Sequence, residues 1–163
     1  MRRYFSYFKK VLIHKYYVFL ACLKLKAPLY LAITHDISKF TLEEFVPYAK
    51  YFYDKDGNPN SIKNNHGEYD DSKQGQDFHS AWLYHTNRNK HHWNYWSIIR
   101  NDSSINPMPI PEKYIKEMVA DWIGAAKAYN PDVVVIDWYR KEKDNLIFHD
   151  NTRKRIEEIL ETL

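Results

Sequence analysis

The sequence predicts an all-α fold: a single compact helical bundle with one long polar loop. Apolar residues make up 44% and aromatic residues 17% of the 163 positions, which supplies a core and argues against disorder. Three of only four glycines, Gly57, Gly67 and Gly75, fall in one polar stretch, so the rest of the chain lacks the turns of a β protein. No repeat or linker divides the sequence. We therefore expect one domain over 1–163, with a core at about 4–129 and a C-terminal extension, 131–163, packed on it.

A proline separates the first two predicted helices. Apolar side chains recur at helical spacing over 4–25 and predict a long first helix, whose apolar face includes His14. Pro28 suits the first turn of the second helix. We expect that second helix to carry His35 and Asp36 at its end.

A third helix and a long loop follow. The capping-box pattern at Thr41 to Glu44 predicts a helix that ends at about Tyr53. Pro47 indicates either a kink in this helix or a helix that begins there. Residues 54–76 are rich in Asn, Asp, Lys and Gly and predict a loop. Because unstructured loops of this length are uncommon within domains, we expect this loop to be a lid or a disordered segment that is mobile without ligand.

The second half of the chain is predicted to be helical, apart from one loop and one ambiguous run. The predicted helices are 77–87, an aromatic helix after His92, 111–129, and a last helix that Asp150 or Asn151 would cap. Residues 101–111 contain three prolines and predict a loop, whereas 133–136 fits a strand or a short helix. The helix at 111–129 has a clear apolar stripe, made of Ile115, Met118, Val119, Trp122, Ile123 and Ala126.

Charge and cysteine content restrict the compartment and the partners. The net charge of +3 is too small to indicate nucleic acid binding, and no apolar run is long enough to span a bilayer. Cys22 is the single cysteine, so no intrachain disulfide can form and a reducing compartment is expected. We therefore expect a cytoplasmic protein, in the host cytoplasm if a phage encodes it, with neither a membrane nor a nucleic acid partner. The sequence leaves the oligomeric state open.

Histidine and aspartate side chains recur on apolar helix faces and at helix ends. His14 lies on the apolar face of the first helix, and His35 and Asp36 close the second. His85 shares a face with apolar residues of the helix at 77–87, and Asp121 lies at the edge of the apolar stripe. Imidazoles and carboxylates are good ligands for divalent metals, so these residues predict a metal site.

A further histidine ligand comes from the pair His91-His92, between which the sequence does not choose. We take His92 as the ligand because it directly precedes Trp93 and the aromatic run that follows. The central His-Asp dipeptide recurs as His149-Asp150 at the start of a polar helix. That second copy is most simply a helix cap.

The order His, His-Asp, His, His, Asp resembles the HD-domain superfamily of metal-dependent phosphohydrolases. In that family an all-α bundle gathers a His, a His-Asp pair and a final Asp around one metal, and many members hold a second metal with two further histidines. The likeness covers about residues 4–129, and 81–96 is similar to an uncharacterised branch of phage and bacterial proteins. By resemblance, six residues hold one or two metal ions: His14, His35, Asp36, His85, His92 and Asp121.

The resemblance implies hydrolysis of a nucleotide or another small phosphoester. Asp36 would hold the metal and orient or deprotonate a water, whose pKa a bound dication lowers to about 7. Lys39 matches the family's extended motif and would neutralise substrate phosphate, with Arg88 as a second candidate. The expected cofactor is a divalent metal: Mn, Fe, Mg, Zn or Ni.

Two other functions stay open at the level of sequence. Some HD-like proteins hold two irons with the same ligand order and activate oxygen. A non-catalytic binding or inhibitor protein would instead use aromatic residues such as Trp93, Trp96 and Trp122 as a recognition surface. The presence and identity of a bound metal distinguish these functions.

Overall fold

The computed structural model describes residues 1–62 and 71–163, which are mostly helical with one small sheet. The α-helices are α1 (Arg2–Lys24), α2 (Leu29–Thr34), α3 (Leu42–Phe52), α4 (Gln76–Arg88), α5 (Glu112–Tyr129), α6 (Val135–Glu142) and α7 (Asp150–Leu160). Short 3-10 helices cover Ile37–Phe40, Asp71–Lys73 and Trp93–Trp96. Strand β1 (Ser97–Ile99) pairs antiparallel with β2 (Ile105–Pro107), with Ile98 opposite Asn106. The all-α prediction is confirmed as an α-rich fold, but the small sheet departs from it, and β2 lies in a stretch predicted to be a loop.

The described residues form two compact units. Unit 1 consists of Met1–Leu12 and the described part of Asp36–Arg88, and unit 2 consists of Ile13–His35 and Asn89–Leu163. The prediction of one domain over 1–163 stays a prediction. Among the described residues, no helix combines the length and the apolar character needed to cross a bilayer.

Aromatic rings and alanines form the core of unit 1. Tyr7 and Val11 of α1 pack with Tyr48 and Ala49 of α3 and with Ala81 of α4. Ala49 and Ala81 have no exposed surface, and such small side chains let helices approach closely. The core therefore holds α3 and α4 together.

Helix α3 begins where the sequence predicts, but without the predicted capping box. The helix starts at Leu42 and continues through Pro47, so the alternative start at Pro47 is wrong. The Thr41 hydroxyl donates to the Ser38 carbonyl at 2.8 Å and makes no cap hydrogen bond to α3. The Glu44 side chain is fully buried and contacts His85 of α4.

Only part of the predicted 54–76 loop lies among the described residues. The Asp54 carboxylate accepts a hydrogen bond from the Asn58 backbone at 2.9 Å, and Asn60 donates from its side chain to carbonyls of α3. The Ser6 hydroxyl donates to the Gly57 carbonyl at 3.0 Å. The first part of the loop is therefore anchored to unit 1. The expected mobility at 63–70 lies outside the described residues.

Helix α5 lies at the centre of the unit 2 core. Its buried residues Ile115, Met118 and Val119 pack with Ile156 and Ile159 of α7. The apolar stripe that the sequence predicts on this helix therefore faces the core. A stripe of this width stabilises the helix through tertiary packing more than through helix propensity.

Helices α1 and α5 approach each other closely at Gly124. A Cβ atom at this position would lie 2.3 Å from Val18 Cγ2 and 2.8 Å from the Val18 backbone nitrogen. His14 precedes Val18 by about one turn, and Asp121 precedes Gly124 by about one turn. The glycine contact therefore positions two predicted ligands on facing helices.

The structure corrects the predicted boundaries of several helices in the region from α2 to α7. Helix α2 ends at Thr34, so His35 and Asp36 lie after the helix instead of on it. The run at 133–136 leads into α6, so the strand alternative is wrong, and the aromatic run after His92 is a 3-10 helix of four residues. The cap of α7 is His149, whose Nδ1 accepts from the Asn151 backbone at 3.2 Å, and not Asp150 or Asn151 as predicted.

Candidate metal centre

Three of the predicted ligands meet in unit 2. His14 Nε2 lies 3.0 Å from Asp121 Oδ1, and His35 Nε2 lies 3.3 Å from the same oxygen. Both imidazoles are buried, and the Asp121 side chain is 17% exposed. One carboxylate oxygen therefore faces two imidazole nitrogens that come from different parts of the chain.

The surroundings of Asp121 favour its ionised form. Burial alone raises the pKa of this carboxyl group, but hydrogen bonds and charge from His14 and His35 outweigh burial. The pKa of Asp121 is therefore held well below its ordinary value. The side chain is a carboxylate at neutral pH, which is the state that binds a cation.

Backbone contacts fix His35 at the end of α2. Its backbone N–H donates to the Leu31 carbonyl at 2.8 Å. Lys15 Nζ donates to the His35 carbonyl and, at 3.4 Å, to the Ile33 carbonyl. Because helix C-terminal carbonyls attract cations, Lys15 stabilises the segment that presents the His35 ring.

Glu117 lies one turn before Asp121 on α5 and contacts the other ring nitrogen of His35. Glu117 Oε1 lies 3.1 Å from His35 Nδ1 and 3.4 Å from His91 Nδ1. Burial raises the pKa of Glu117, but hydrogen bonds and charge from the two histidines lower the pKa below its usual value. A second carboxylate of α5, which is buried, therefore faces two imidazoles in unit 2.

His91 is the buried member of the His91-His92 pair. The His91 ring centroid lies 4.3 Å from that of His35 and 4.3 Å from that of His92. His92 is half-buried. The structure thus adds His91 to the residues around His35, and the assignment of His92 as a metal ligand stays a prediction.

In unit 1, Asp36 adopts a left-handed backbone conformation. Its φ of 55° and ψ of 24° lie in a region that Asp and Asn tolerate better than other residues with a side chain. The 3-10 helix Ile37–Phe40 follows directly, which places Lys39 Nζ 2.6 Å from Asp36 Oδ2. Asp36 is buried, whereas the Lys39 side chain is 19% exposed. The predicted phosphate-binding lysine is therefore ion-paired to the predicted catalytic aspartate.

His85 of α4 lies between two carboxylates of unit 1. Its Nε2 lies 3.4 Å from Asp36 Oδ1, and its Nδ1 lies 2.9 Å from Glu44 Oε2. The Ser38 hydroxyl donates to the same Glu44 oxygen at 3.0 Å. All four residues are buried. The structure therefore brings two predicted ligands, Asp36 and His85, together within unit 1.

Arg88, the second predicted phosphate contact, is held by the exposed carboxylate of Glu43 and lies near the buried carboxylate of Glu44. Its NH2 lies 2.7 Å from Glu43 Oε2, and its NH1 lies 3.6 Å from Glu44 Oε1. The hydrogen bond to Glu43 raises the pKa of the guanidinium further. The role of Arg88 in phosphate binding stays a prediction.

The donor groups fit a metal ion in both spacing and chemistry. Metal–ligand bonds of about 2.1 Å put neighbouring ligand atoms about 3.0–3.4 Å apart, and both contacts of Asp121 Oδ1 fall in that range. In unit 2 the ligand atoms of His14, His35 and Asp121 lie within 4.8 Å of one another, as do those of His35, His91 and Glu117. These buried clusters could hold a metal ion, whose identity the geometry does not fix.

Sequence reasoning missed the two buried glutamates. Glu117 lies four residues before Asp121, a spacing that puts both side chains on one face of a helix and could have identified it. Glu44 lies three residues after Thr41 and was assigned to a capping box instead. Each glutamate contacts a histidine at Nδ1.

Comparison with known proteins gives a family assignment without an activity. Residues 3–162 match a protein family described as a family of unknown function, DUF5662. Since the match covers nearly the whole sequence, the chain belongs to this family. No curated protein and no solved structure matches the chain.

Proposed function

We propose that this member of the DUF5662 family is a metal-dependent phosphohydrolase with an HD-like centre, acting on a nucleotide or another small phosphoester. The observation that carries the proposal is the approach of two imidazole nitrogens to one oxygen of Asp121. The distances are 3.0 Å from His14 Nε2 and 3.3 Å from His35 Nε2. Spacing of this kind suits donors that share one metal ion.

Charge balance in unit 2 supports a dication. Two carboxylates, Asp121 and the buried Glu117, lie next to the imidazoles of His14, His35 and His91. A dication would neutralise both carboxylates while leaving the imidazoles neutral. Imidazole suits Zn, Fe and Ni, and carboxylate suits Mn and Mg. The mixed donor set therefore favours Mn, Fe, Zn or Ni over Mg.

The proposed chemistry is hydrolysis of a phosphoester: the oxygen of an activated water would bond to phosphorus, the P–O bond to the alcohol would break, and the alcohol oxygen would take up the proton that the water loses. A bound dication supplies a Lewis acid and a coordinated water with a pKa of about 7. Asp36 follows His35 in the chain and is the residue that the HD resemblance assigns to the water, which its carboxylate would orient or deprotonate. Lys39, at 2.6 Å from Asp36 Oδ2, provides a cation for the substrate phosphate.

The test is a phosphoester panel assayed with protein loaded separately with Mn²⁺, Fe²⁺, Zn²⁺, Ni²⁺ and Mg²⁺. We expect metal-dependent cleavage of at least one substrate class. Lys39→Met should lower kcat/KM by about tenfold or more, the effect of losing a charged hydrogen bond. Lys50→Met, at an exposed position of α3, should leave kcat/KM unchanged.

Two results would overturn the proposal and support its alternatives. Iron-loaded protein that consumes oxygen and releases no phosphate or alcohol product would support the oxygen-activating function. Protein that binds no metal and turns over no phosphoester would support a binding or inhibitor role. Equal activity of the Lys39 and Lys50 variants would remove Lys39 from the reaction.

A further inference from the structure

The same arrangement of a buried glutamate on a histidine Nδ1 occurs independently in both units. We infer that Glu117 and Glu44 are positioning residues: within its own unit, each holds histidine rings so that Nε2, and not Nδ1, is the nitrogen that binds a metal ion. In unit 2 the positioned rings are those of His35 and His91, and in unit 1 the positioned ring is that of His85. The inference rests on the metal site of the proposed function and assigns a role to two residues that are not among the predicted ligands.

One carboxylate oxygen of Glu117 contacts two histidines. Its Oε1 lies 3.1 Å from His35 Nδ1 and 3.4 Å from His91 Nδ1, and the two rings lie 4.3 Å apart by centroid. A carboxylate oxygen has lone pairs for two N–H donors, so it can accept from both rings at once. His35 Nε2 then faces Asp121 Oδ1, at 3.3 Å, on the opposite edge of the ring.

Glu44 contacts His85 and is itself positioned by Ser38 and Arg88. Its Oε2 lies 2.9 Å from His85 Nδ1 and accepts from the Ser38 hydroxyl at 3.0 Å, while its Oε1 lies 3.6 Å from Arg88 NH1. Glu44 has no exposed surface. His85 Nε2 faces Asp36 Oδ1 at 3.4 Å, again on the edge opposite the glutamate.

In this arrangement the position of the imidazole proton determines which ring nitrogen can bind a metal. A neutral ring carries one proton, and an acceptor at Nδ1 keeps that proton there and leaves the Nε2 lone pair available to a metal. A carboxylate acceptor also raises the basicity of the ring, which strengthens the metal bond. A glutamate in this role therefore acts on the metal through the histidine, without touching the metal.

Direct metal binding by Glu117 is the main alternative to its positioning role. The ligand atoms of His35, His91 and Glu117 are close enough to bind one ion through Nδ1 and a carboxylate oxygen. In that arrangement Glu117 is itself a ligand. The coordinating nitrogen therefore decides between a positioning residue and a ligand.

NMR of the Zn²⁺-loaded protein identifies that nitrogen. Two-bond ¹H–¹⁵N correlations should show His35, His91 and His85 bound through Nε2, each with a slowly exchanging Nδ1–H. Coordination of His35 and His91 through Nδ1 would overturn the role given to Glu117, and coordination of His85 through Nδ1 would overturn that of Glu44.

Metal affinity supplies a second measurement with matched controls. Titration with Co²⁺, followed by its visible absorption, should give dissociation constants about 10–100-fold higher for Glu117→Gln and Glu44→Gln. The controls are Glu112→Gln, on the same helix as Glu117, and Glu43→Gln, next to Glu44. Both control residues form exposed ion pairs with arginine, so their variants should bind Co²⁺ like wild type.

The outcomes separate this inference from the proposed function. Nε2 coordination with weakened binding in the two buried-site variants supports the positioning role, even if no phosphoester is cleaved. Unchanged affinity in folded Glu117→Gln and Glu44→Gln overturns the positioning role, even if hydrolysis occurs. A protein that binds neither Zn²⁺ nor Co²⁺ overturns both.

Discussion

The Asp121 carboxylate offers the most informative single substitution, because one of its oxygens faces two imidazoles. Asp121→Asn keeps the size of the side chain and replaces a charged oxygen, at 3.0 Å from His14 Nε2 and 3.3 Å from His35 Nε2, with a neutral amide. Losing a partner that only orients a ligand costs about 10–100-fold in metal affinity. Loss of a ligand charge should therefore weaken binding by at least about a hundredfold.

The expected change in melting temperature follows from binding linkage. Metal at about 1,000 times its dissociation constant stabilises the wild-type protein by about 4.1 kcal/mol. A hundredfold weaker site at the same metal concentration leaves about 1.4 kcal/mol. A chain of this size gains about 2–4 °C per kcal/mol. The metal-induced rise should therefore fall from about 8–16 °C in wild type to about 3–6 °C in Asp121→Asn.

The assay is differential scanning calorimetry of each variant with chelator and with added Zn²⁺. Comparing each variant with its own chelated form removes any effect of the substitution on the metal-free protein. Asp137→Asn is the control, because Asp137 forms an exposed ion pair with Arg140 in α6. Its metal-induced rise should equal that of wild type. An undiminished rise in Asp121→Asn would refute the assignment of Asp121 as a ligand.

Three further predictions concern the helix cap, the helix contact and acid stability. His149→Ala should lower the free energy of unfolding in urea by about 1 kcal/mol, while Asp150→Ala changes it little, because His149 provides the cap; equal losses would contradict this assignment. Gly124→Ala should cost about 1–3 kcal/mol or more and weaken Zn²⁺ binding, since its Cβ would overlap Val18; a wild-type melting curve would argue against the close approach. The pKa of Asp121 is lowered in the folded state, so its contribution to stability is complete above the unfolded carboxyl pKa of about 4 and is lost as pH falls through the lower folded value. The chelated wild type should therefore lose unfolding free energy more steeply below about pH 4 than Asp121→Asn does, and parallel pH profiles would count against this linkage.

The sequence predicts the helices well where burial imposes a period. The stripe that includes Ile115, Met118 and Val119 repeats at helical spacing because one face of α5 packs on the core. The same reasoning predicted His14 on the buried face of α1. Asp121 was found from its position at the edge of that stripe. Local periodicity therefore identified these helices and the residues on their inner faces.

Features that depend on contacts between distant segments could not be predicted in this way. Nothing local marks the left-handed backbone of Asp36, and the sequence placed this residue on a helix that ends before it. The hairpin of β1 and β2 buries little apolar surface and has no alternating pattern to reveal it. Glu44 matched a local capping rule, but its buried contact with His85 replaced the cap.

Metal content tests most directly whether the clustered histidine and aspartate side chains bind a metal ion. Elemental analysis of protein purified without chelator should find one or two equivalents of a transition metal per chain. Asp36→Ala should lose metal, while Asp150→Ala, at the second His-Asp dipeptide, should retain the wild-type amount. Wild-type protein that contains no metal and takes none up, or Asp36→Ala protein that keeps the full stoichiometry, would contradict the account.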